Sequence, residues 1–388
     1  MPKSFKCPYC HEKHDVMSCR FVCRKDECPL GNQNDDGSIK DDVKIRTYCL
    51  NRCNHAAVQL FCPKTEVVDR YQRYIKKYQV NKDVPVHMNI PAEFRDGTPT
   101  LTVAVLGGVS SGKTSYLTIL LNELSNKFGN RFESNLRILN TATQELYRNR
   151  YYNFVFIDNG TNEKTPAGDA IPPLLYSLEF ANNKGAKQRV NLAFYDVAGE
   201  DLRAGETMED LGYIATADLV LVLLDPLQMP SVRKKLQGKM SLPDQTEAPT
   251  AIIDRLVSVY HDIWRKRGKI SVPVAVAFSK LDVLKEAGFF ADGDDSIFKE
   301  SRHLDQRAFV LDEFNSTTNT MKAIFENYVE GSPISNLKMN FKNYALFGFS
   351  AFGIDPAVST NLEEDIHPYR VLDPLIWALH KKGYIKKI

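Results

Sequence analysis

Short apolar runs dominate the chain from about residue 99 onward, and they alternate with amphipathic segments. The runs occupy 100–106, 174–180, 190–196, 217–225, 272–280 and 343–351. Several are apolar on both faces, which is typical of strands in a parallel sheet covered by helices. Helices are predicted at 115–127 and 371–382. This order predicts an α/β fold, a doubly wound domain with a mostly parallel sheet.

The first 98 residues show a different pattern. Residues 1–66 contain all eight cysteines and a polar loop, and the apolar spacing within 67–78 predicts an amphipathic helix. Pro85, Pro91 and Gly97 then indicate a linker. We therefore expect a small cysteine-rich module at 1–66, a helix and linker at 67–98, and the α/β domain at 99–388. Extra length within that domain, at 128–172, 226–268 and 284–340, predicts helical insertions.

A glycine loop follows the first predicted strand of the α/β domain. Residues 107–114 match G-x-x-x-x-G-K-[ST] at every fixed position, which predicts backbone N–H groups that wrap a phosphate at a helix N-terminus. Lys113 would reach the β- and γ-phosphates, and the Thr114 hydroxyl would ligate Mg²⁺. The predicted nucleotide-binding residues here are Gly107, Ser110, Ser111, Gly112, Lys113, Thr114 and Ser115.

Two later motifs refine this prediction. Asp196-Val-Ala-Gly199 follows a buried strand, so Asp196 is the predicted Mg²⁺ carboxylate and the Gly199 N–H a contact to the γ-phosphate. Ser279-Lys280-Leu-Asp282 follows another strand. There the aspartate would accept the N1–H and N2–H₂ protons of guanine, and the lysine stem would lie over the base. Ser350 and Ala351 follow the last strand and would support the guanine O6.

These four elements, in this order, resemble the TRAFAC class of P-loop GTPases, on the Ras-like side. The resemblance covers 99–388. A narrower resemblance is to the bacterial double-GTPase families of conflict and defence systems, through the cysteine knuckles, the stretch 223–233 and the segment 371–377. It implies GTP hydrolysis to GDP and phosphate, a nucleotide switch and a protein partner. Because one phosphate loop is present, a second GTPase module would have to come from another chain.

The residues around the γ-phosphate depart from the Ras-like pattern. Switch I needs a threonine, for which Thr165 fits best and Thr161 is the alternative; Thr165 would join Thr114 and Asp196 around Mg²⁺. Glu200 stands where such enzymes often carry the glutamine that orients water, and the γ-phosphate would repel its carboxylate. Arg203, or an arginine from a partner, is a candidate stabilising cation. The predicted catalytic residues are Lys113, Thr165, Gly199 and Glu200.

The cysteines predict structural zinc. In a reducing compartment a dense cysteine cluster indicates a metal site, and eight thiolates suffice for two closed four-ligand Zn²⁺ sites whose pairing the spacing leaves open. His55 is an alternative ligand, whereas His11 and His14 are predicted to be solvated. The predicted zinc ligands are Cys7, Cys10, Cys19, Cys23, Cys28, Cys49, Cys53 and Cys62.

The amino-acid composition excludes few classes of binding partner. The net charge of +2 favours neither nucleic acid nor membrane, although residues 1–95 carry 17 Lys and Arg against 12 Asp and Glu. We expect a protein partner at the zinc module or the insertions rather than nucleic acid. No apolar run of membrane-spanning length and no secretory signal are found, so a cytoplasmic location is expected. The alternative to a GTP hydrolase is a zinc-fused pseudo-GTPase that binds nucleotide with little turnover.

Overall fold

The structure is a computed structural model. It describes residues 4–25, 28, 30–53, 58–79, 82, 86–108, 110–160, 171–181, 185–196, 212–240, 242–244, 248–264, 268–290, 296–331, 333–354, 361 and 365–388, and all contacts and distances refer to these.

A seven-stranded sheet forms the centre of the α/β part, as the apolar runs predict. The strands are β5 (Thr100–Gly107), β6 (Asn135–Ile138), β7 (Leu174–Ala181), β8 (Lys187–Asp196), β9 (Leu219–Leu224), β10 (Val274–Phe278) and β11 (Tyr344–Gly348). Their spatial order is β11-β10-β9-β5-β8-β7-β6. β5 and β8–β11 pair in parallel, whereas β7 is antiparallel to β8 and β6 is antiparallel to β7. The edge strand β6 was not among the predicted strands.

Four strands and two helices precede this sheet. They are β1 (Ser4–Lys6), β2 (Lys13–Asp15), β3 (Arg20–Cys23), α1 (Val43–Arg52), β4 (Val58–Phe61) and α2 (Thr65–Tyr78). β1 pairs with β2 and β3 with β4, both antiparallel. The predicted amphipathic helix is α2. It buries Tyr71, Tyr74 and Ile75 on one face, and it places Glu66 in its first turn and lysines in its last, where the helix dipole favours each charge.

The helices of the α/β part cover the sheet. They are α3 (Lys113–Ser125), α4 (Lys127–Phe132), α5 (Thr141–Leu146), a π-helix (Tyr147–Tyr152), α6 (Asn153–Phe156), α7 (Gly212–Ala215), α8 (Pro230–Leu236), α9 (Pro249–Trp264), α10 (Leu281–Glu286), α11 (Arg302–Asp305), α12 (Leu311–Tyr328), α13 (Pro333–Asn340) and α14 (Asp373–Lys381). Short 3₁₀ turns lie at Val16–Ser18, Ala92–Phe94, Pro226–Gln228 and Ser296–Phe298. Among the described helices none is long and apolar enough to cross a bilayer.

Two hydrophobic cores lie on the two faces of the sheet, because successive side chains of a strand point in opposite directions. Ala193 and Tyr195 of β8 belong to one core, together with the buried cysteines of the N-terminal part and α9. Leu192 and Phe194 belong to the other, with α3, α4 and α14. The cysteine-rich part therefore covers one face of the sheet near its centre.

Candidate nucleotide site and metal centre

The glycine loop joins β5 to α3 as the motif predicts. A side chain at Gly107 would lie 2.4 Å from Ser111 Oγ and 2.8 Å from the Leu223 carbonyl, so glycine is required there. Gly112 has φ +83°, a left-handed conformation that glycine adopts without strain, and it begins α3. Ser110 takes the same region at φ +60°. The loop backbone is thus shaped for close approach to an anion.

The loop lysine lies against the inside of this turn. Lys113 Nζ donates to the carbonyls of Gly107 and Gly108, both at 3.0 Å, and the side chain is buried. Ser111 Oγ is also buried and has no hydrogen-bond partner among the described residues, while Ser115 is half-buried on the first turn of α3. Val109 lies outside the described residues.

The predicted Mg²⁺ residues meet at the carboxyl end of β8. Thr114 Oγ1 donates to Asp196 Oδ2 at 3.0 Å, and both side chains are buried. The Tyr151 hydroxyl donates to the same oxygen at 3.1 Å, and Arg150 NH1 lies 3.6 Å from it. Burial raises the pKa of Tyr151 well above its ordinary value, and the Asp196 carboxylate adds to the shift, so the hydroxyl is a donor at neutral pH. The second oxygen, Asp196 Oδ1, is buried without a hydrogen-bond partner among the described residues.

Arg150 and Tyr151 are site residues that the sequence analysis missed. Both lie on the π-helix, a geometry that is frequent at functional sites. The Arg150 guanidinium donates through Nε to the Tyr74 hydroxyl of α2 and lies 5.2–5.7 Å from the ring centroids of three tyrosines, Tyr74, Tyr78 and Tyr151. No fixed sequence motif predicts residues such as Arg150 and Tyr151. The one feature of the sequence that could have pointed to them is the run of aromatic and basic residues at 147–152.

The predicted guanine-reading residues lie together at the ends of β10 and β11. Asp282 Oδ1 is buried and lacks a hydrogen-bond partner among the described residues. Burial raises the pKa of this carboxyl, and a hydrogen bond with Ser350 opposes the shift. Ser350 Oγ also accepts from the Gly353 N–H at 2.8 Å, and Ala351 is half-buried beside it. The Ser279 hydroxyl is turned away, towards the Leu224 carbonyl at 3.3 Å.

Lys280 connects the predicted guanine-reading residues to the phosphate loop. Its Nζ lies 2.7 Å from Asp225 Oδ2 and 3.3 Å from the Ser110 carbonyl. Asp225 follows β9 and is buried, and its other carboxylate oxygen accepts from the Leu227 N–H at 2.9 Å. Asp225 is therefore a third missed residue: it positions the lysine of the predicted base-reading motif. The signal was Asp-Pro after an apolar strand, at 225–226.

Several predicted residues lie outside the described part of the chain. They are Thr165, the alternative Thr161, Gly199, Glu200, Arg203 and the alternative zinc ligand His55. Their roles stay predictions.

Four potential metal ligands cluster in the N-terminal part. The ligand atoms of Cys7, Cys10, His14 and Cys62 all lie within 4.8 Å of one another. β1 and β2 form a hairpin with Cys7 and Cys10 in its turn, the Tyr9 N–H points at Cys7 Sγ at 3.4 Å, and Cys62 follows β4. The prediction that His14 is solvated was wrong: β2 places its Nε2 2.9 Å from Cys10 Sγ. None of the eight cysteines, all of which lie in the described part of the chain, forms a disulfide bond.

The turn carrying Cys7 and Cys10 packs on the end of β8. The Tyr195 hydroxyl donates to the Pro8 carbonyl at 2.6 Å, and the His11 ring lies 5.0 Å from the Tyr195 ring and 6.0 Å from that of Tyr213. The prediction that His11 is solvated was also wrong, since burial lowers its pKa to about 4 and keeps the ring neutral. Nearby, Lys6 Nζ donates to the Thr216 carbonyl at 2.9 Å.

The chain matches several solved structures at low sequence identity, of which three are described here. A Plasmodium falciparum protein described as nucleolar GTP-binding protein 1 is 10% identical, with 76% of this chain and 91% of that one covered and a TM-score of 0.26. The bacterial selenocysteine-specific elongation factor EF-Sec is 11% identical, with 73% and 29% covered and a TM-score of 0.27.

The third is the S. cerevisiae Ski7 GTPase-like domain bound to GTP. It is 12% identical, with 77% of this chain and 53% of that one covered and a TM-score of 0.31. This chain thus spans about a third of the length of the second structure and about half of the length of the third. No curated protein matches the chain. The profile of the Double-GTPase 2 family matches residues 101–337, more than half of the sequence, and the chain belongs to this family of P-loop GTPases.

Proposed function

We propose that the protein binds GTP with Mg²⁺ and hydrolyses it to GDP and phosphate as a nucleotide switch. One observation carries the choice of guanine: Asp282 presents a buried carboxylate oxygen without a hydrogen-bond partner among the described residues. Burying an unsatisfied acceptor is costly, so such an atom marks a place where a ligand donor is expected. The two adjacent N–H donors of guanine fit a carboxylate, whereas adenine has an acceptor in place of one of them.

The donor set also fits Mg²⁺. Asp196 Oδ1 is another buried oxygen without a hydrogen-bond partner among the described residues, and it lies on the same carboxylate that the Thr114 hydroxyl contacts. Hard cations of this size prefer carboxylate and hydroxyl oxygens. Thr114 and Asp196, with Thr165, would hold the ion, which would neutralise charge on the phosphates. Within the protein, Lys113 and the loop N–H groups hold the triphosphate, and Arg150 balances the charge of Asp196.

A second candidate function differs from the first in the rate of GTP turnover. Glu200 in place of glutamine favours a pseudo-GTPase that binds nucleotide and scarcely hydrolyses it. Arg150 favours hydrolysis, because it places a buried cation beside Asp196, where negative charge accumulates when a triphosphate binds. Phosphate release followed for hours separates the two candidates.

We propose structural zinc at the cluster of Cys7, Cys10, His14 and Cys62. Three thiols and an imidazole complete a closed tetrahedral set. Burial raises the pKa of the Cys7 thiol well above its ordinary value, so a thiolate at this position needs a neighbouring cation. We assign residues 1–66 to this zinc-ribbon-like module, 67–98 to the helix and linker, and 99–388 to the GTPase.

The contacts of the cysteine turn suggest how the switch is read out. Tyr195 directly precedes Asp196, and Tyr213 and Thr216 follow the segment 197–211 that contains Gly199. The turn thus touches both ends of the segment expected to respond to the γ-phosphate. We assign the output of the switch to the zinc module and its protein partner. We also propose a cytoplasmic location, where thiols stay reduced, and the family resemblance supports a role in bacterial defence.

Equilibrium titration tests the nucleotide assignment. GTP should bind in clear preference to ATP, and Lys113→Ala should weaken binding strongly. Two charge-assisted hydrogen bonds are worth about 1.5–3 kcal/mol each, so Asp282→Asn should weaken GTP binding about 10²- to 10⁴-fold and favour xanthine nucleotides. Glu286→Gln, an exposed carboxylate on the same helix, is the control. Tight ATP binding without preference for GTP would refute the assignment.

A further inference from the structure

Four cysteines outside the first cluster line one small cavity. They are Cys23 at the end of β3, Cys28, and Cys49 and Cys53 at the end of α1. Cys49 lies in the last turn of α1, and Cys53 directly follows the helix as its C-cap, in an extended conformation. The cavity measures about 40 Å³, which is large enough for an ion. The β3 strand and α1 thus bring together thiols that lie up to 30 residues apart.

Polar groups surround two of these sulfur atoms. Backbone N–H groups of Asn32, Leu30 and Gly31 point at the Cys28 sulfur, as in a metal-binding turn. The Asn32 side-chain amide lies 3.9 Å from Cys49 Sγ. Lys25 also lines the cavity. Its ammonium would offset part of the net negative charge that four thiolates leave around a divalent ion.

We propose that Cys23, Cys28, Cys49 and Cys53 hold a second zinc ion, an all-thiolate site distinct from the one at Cys7, Cys10, His14 and Cys62. Four sulfur ligands without an open position favour Zn²⁺ in a structural role. The site goes beyond the proposed GTPase function and does not depend on it.

The eighth cysteine is then not a ligand. Cys19 is almost fully buried, burial raises its pKa to about 11, and its sulfur lies 3.8 Å from the Asp15 carbonyl. A thiol with these surroundings behaves as a small apolar side chain. The assignment therefore uses seven cysteines and one histidine, and it differs from the sequence-based expectation of eight thiolate ligands.

Metal content of the full-length protein tests this assignment. Elemental analysis should find two zinc ions per chain in the natural protein, one in Cys53→Ser, one in Cys10→Ser and none in the double variant. Cys19→Ser is the matched control and should retain two. After substitution with Co²⁺, the spectrum lost in Cys53→Ser should be that of four thiolates, and the one lost in Cys10→Ser that of three thiolates and an imidazole.

Several results would overturn the second site. One zinc per chain that is lost in Cys10→Ser but kept in Cys53→Ser would do so. No loss in Cys53→Ser, a loss in Cys19→Ser, or iron in place of zinc would each do so as well. The Cys10→Ser arm reports the first site separately, so the two assignments can fail independently.

A measurement on the natural protein covers the case in which Cys53→Ser does not fold. Cys23, Cys28 and Cys53 are half-buried, so alkylation can reach them unless a metal protects them. They should be protected together in metal-loaded protein and modified together after chelation. Modification of Cys28 and Cys53 in loaded protein, at the rate found after chelation, contradicts the proposal.

Discussion

The ion pair between Arg150 and Asp196 tests how the residues of the predicted Mg²⁺ site are held in place. The two side chains are 4% and 1% exposed, and Arg150 NH1 lies 3.6 Å from Asp196 Oδ2. Removing one partner of a buried pair leaves the other charge without compensation, which typically costs about 3–5 kcal/mol. Arg150→Met should lower the free energy of unfolding of the nucleotide-free protein by about that amount.

A matched substitution separates burial from the loss of an arginine. Arg307 forms a shorter pair with Glu133, at 2.7 Å, but the side chains are 38% and 66% exposed. Exposed pairs contribute about 0–1 kcal/mol, so Arg307→Met should have little effect. Urea unfolding followed by tryptophan fluorescence measures both variants. Both tryptophans, Trp264 and Trp377, lie in the GTPase part, so the signal does not come from the cysteine module.

A double variant tests the cause. If the uncompensated charge of Asp196 causes the loss, adding Asp196→Asn to Arg150→Met should restore part of the stability, and the double-mutant cycle should give a coupling energy well above 0.5 kcal/mol. A loss equal to that of Arg307→Met, or strictly additive effects of the two substitutions, would refute the reasoning. In that case the contacts of Arg150 with the tyrosines of α2, and not the ion pair, would explain its burial.

Three further predictions address other parts of the molecule. Asp225→Asn keeps an oxygen that accepts from the Leu227 N–H but removes the ionic partner of Lys280. Titration should then show that GTP binds about tenfold more weakly, a loss of about 1.4 kcal/mol of binding free energy. Unchanged affinity would contradict the proposal that Asp225 positions Lys280. Tyr195→Phe removes the hydrogen bond to the Pro8 carbonyl. In the natural protein, a chromogenic chelator should withdraw zinc at rates that differ several-fold between the GDP-bound form and the form bound to a non-hydrolysable GTP analogue. In Tyr195→Phe the two rates should be equal. Burial lowers the pKa of His303 from 6.5, so the unfolded chain binds the proton more readily than the folded one. The free energy of unfolding should therefore fall as the pH drops below about 6.5, by at most about 1.4 kcal/mol per pH unit. His303→Asn should flatten the dependence of this free energy on pH between pH 7 and 5, and an unchanged slope would exclude this histidine as the cause.

The sequence predicted the sheet well because its strands are buried on both faces. Runs such as 272–280 and 217–225 are continuous and apolar, and the structure has strands there at Val274–Phe278 and Leu219–Leu224. β6 escaped prediction because it is a short edge strand with alternately exposed and half-buried residues, NLRI, which carries no continuous apolar signal. Periodicity reports burial, so it finds central strands before edge strands.

The fixed motifs predicted a nucleotide site, but they could not predict the residues that surround it in the structure. Lys113, Asp196 and Asp282 stand at spacings that the chemistry dictates. Arg150 and Asp225 reach the site through tertiary contacts, from a π-helix and from the end of a neighbouring strand. The same limit applied to the cysteines, because the contact of Cys62 with the Cys7 turn depends on how β4 packs and not on any local spacing.

One residue step along β8 separates the side of the sheet with the predicted nucleotide site from the side with the cysteine turn. Neighbouring side chains of a strand face opposite sides of the sheet, so Asp196 faces Tyr151 and α3, and Tyr195 faces the cysteine turn. We therefore expect a change at the predicted phosphate site to reach the cysteine turn through the backbone of this strand end, without a chain of intervening side chains. The consequence is specific: Arg150→Met should change stability and leave the nucleotide dependence of zinc release intact, whereas Tyr195→Phe should abolish that dependence. If Arg150→Met instead equalised zinc release in the two nucleotides, both faces of the strand would belong to one coupled unit, and the separation argued from the geometry of β8 would be wrong.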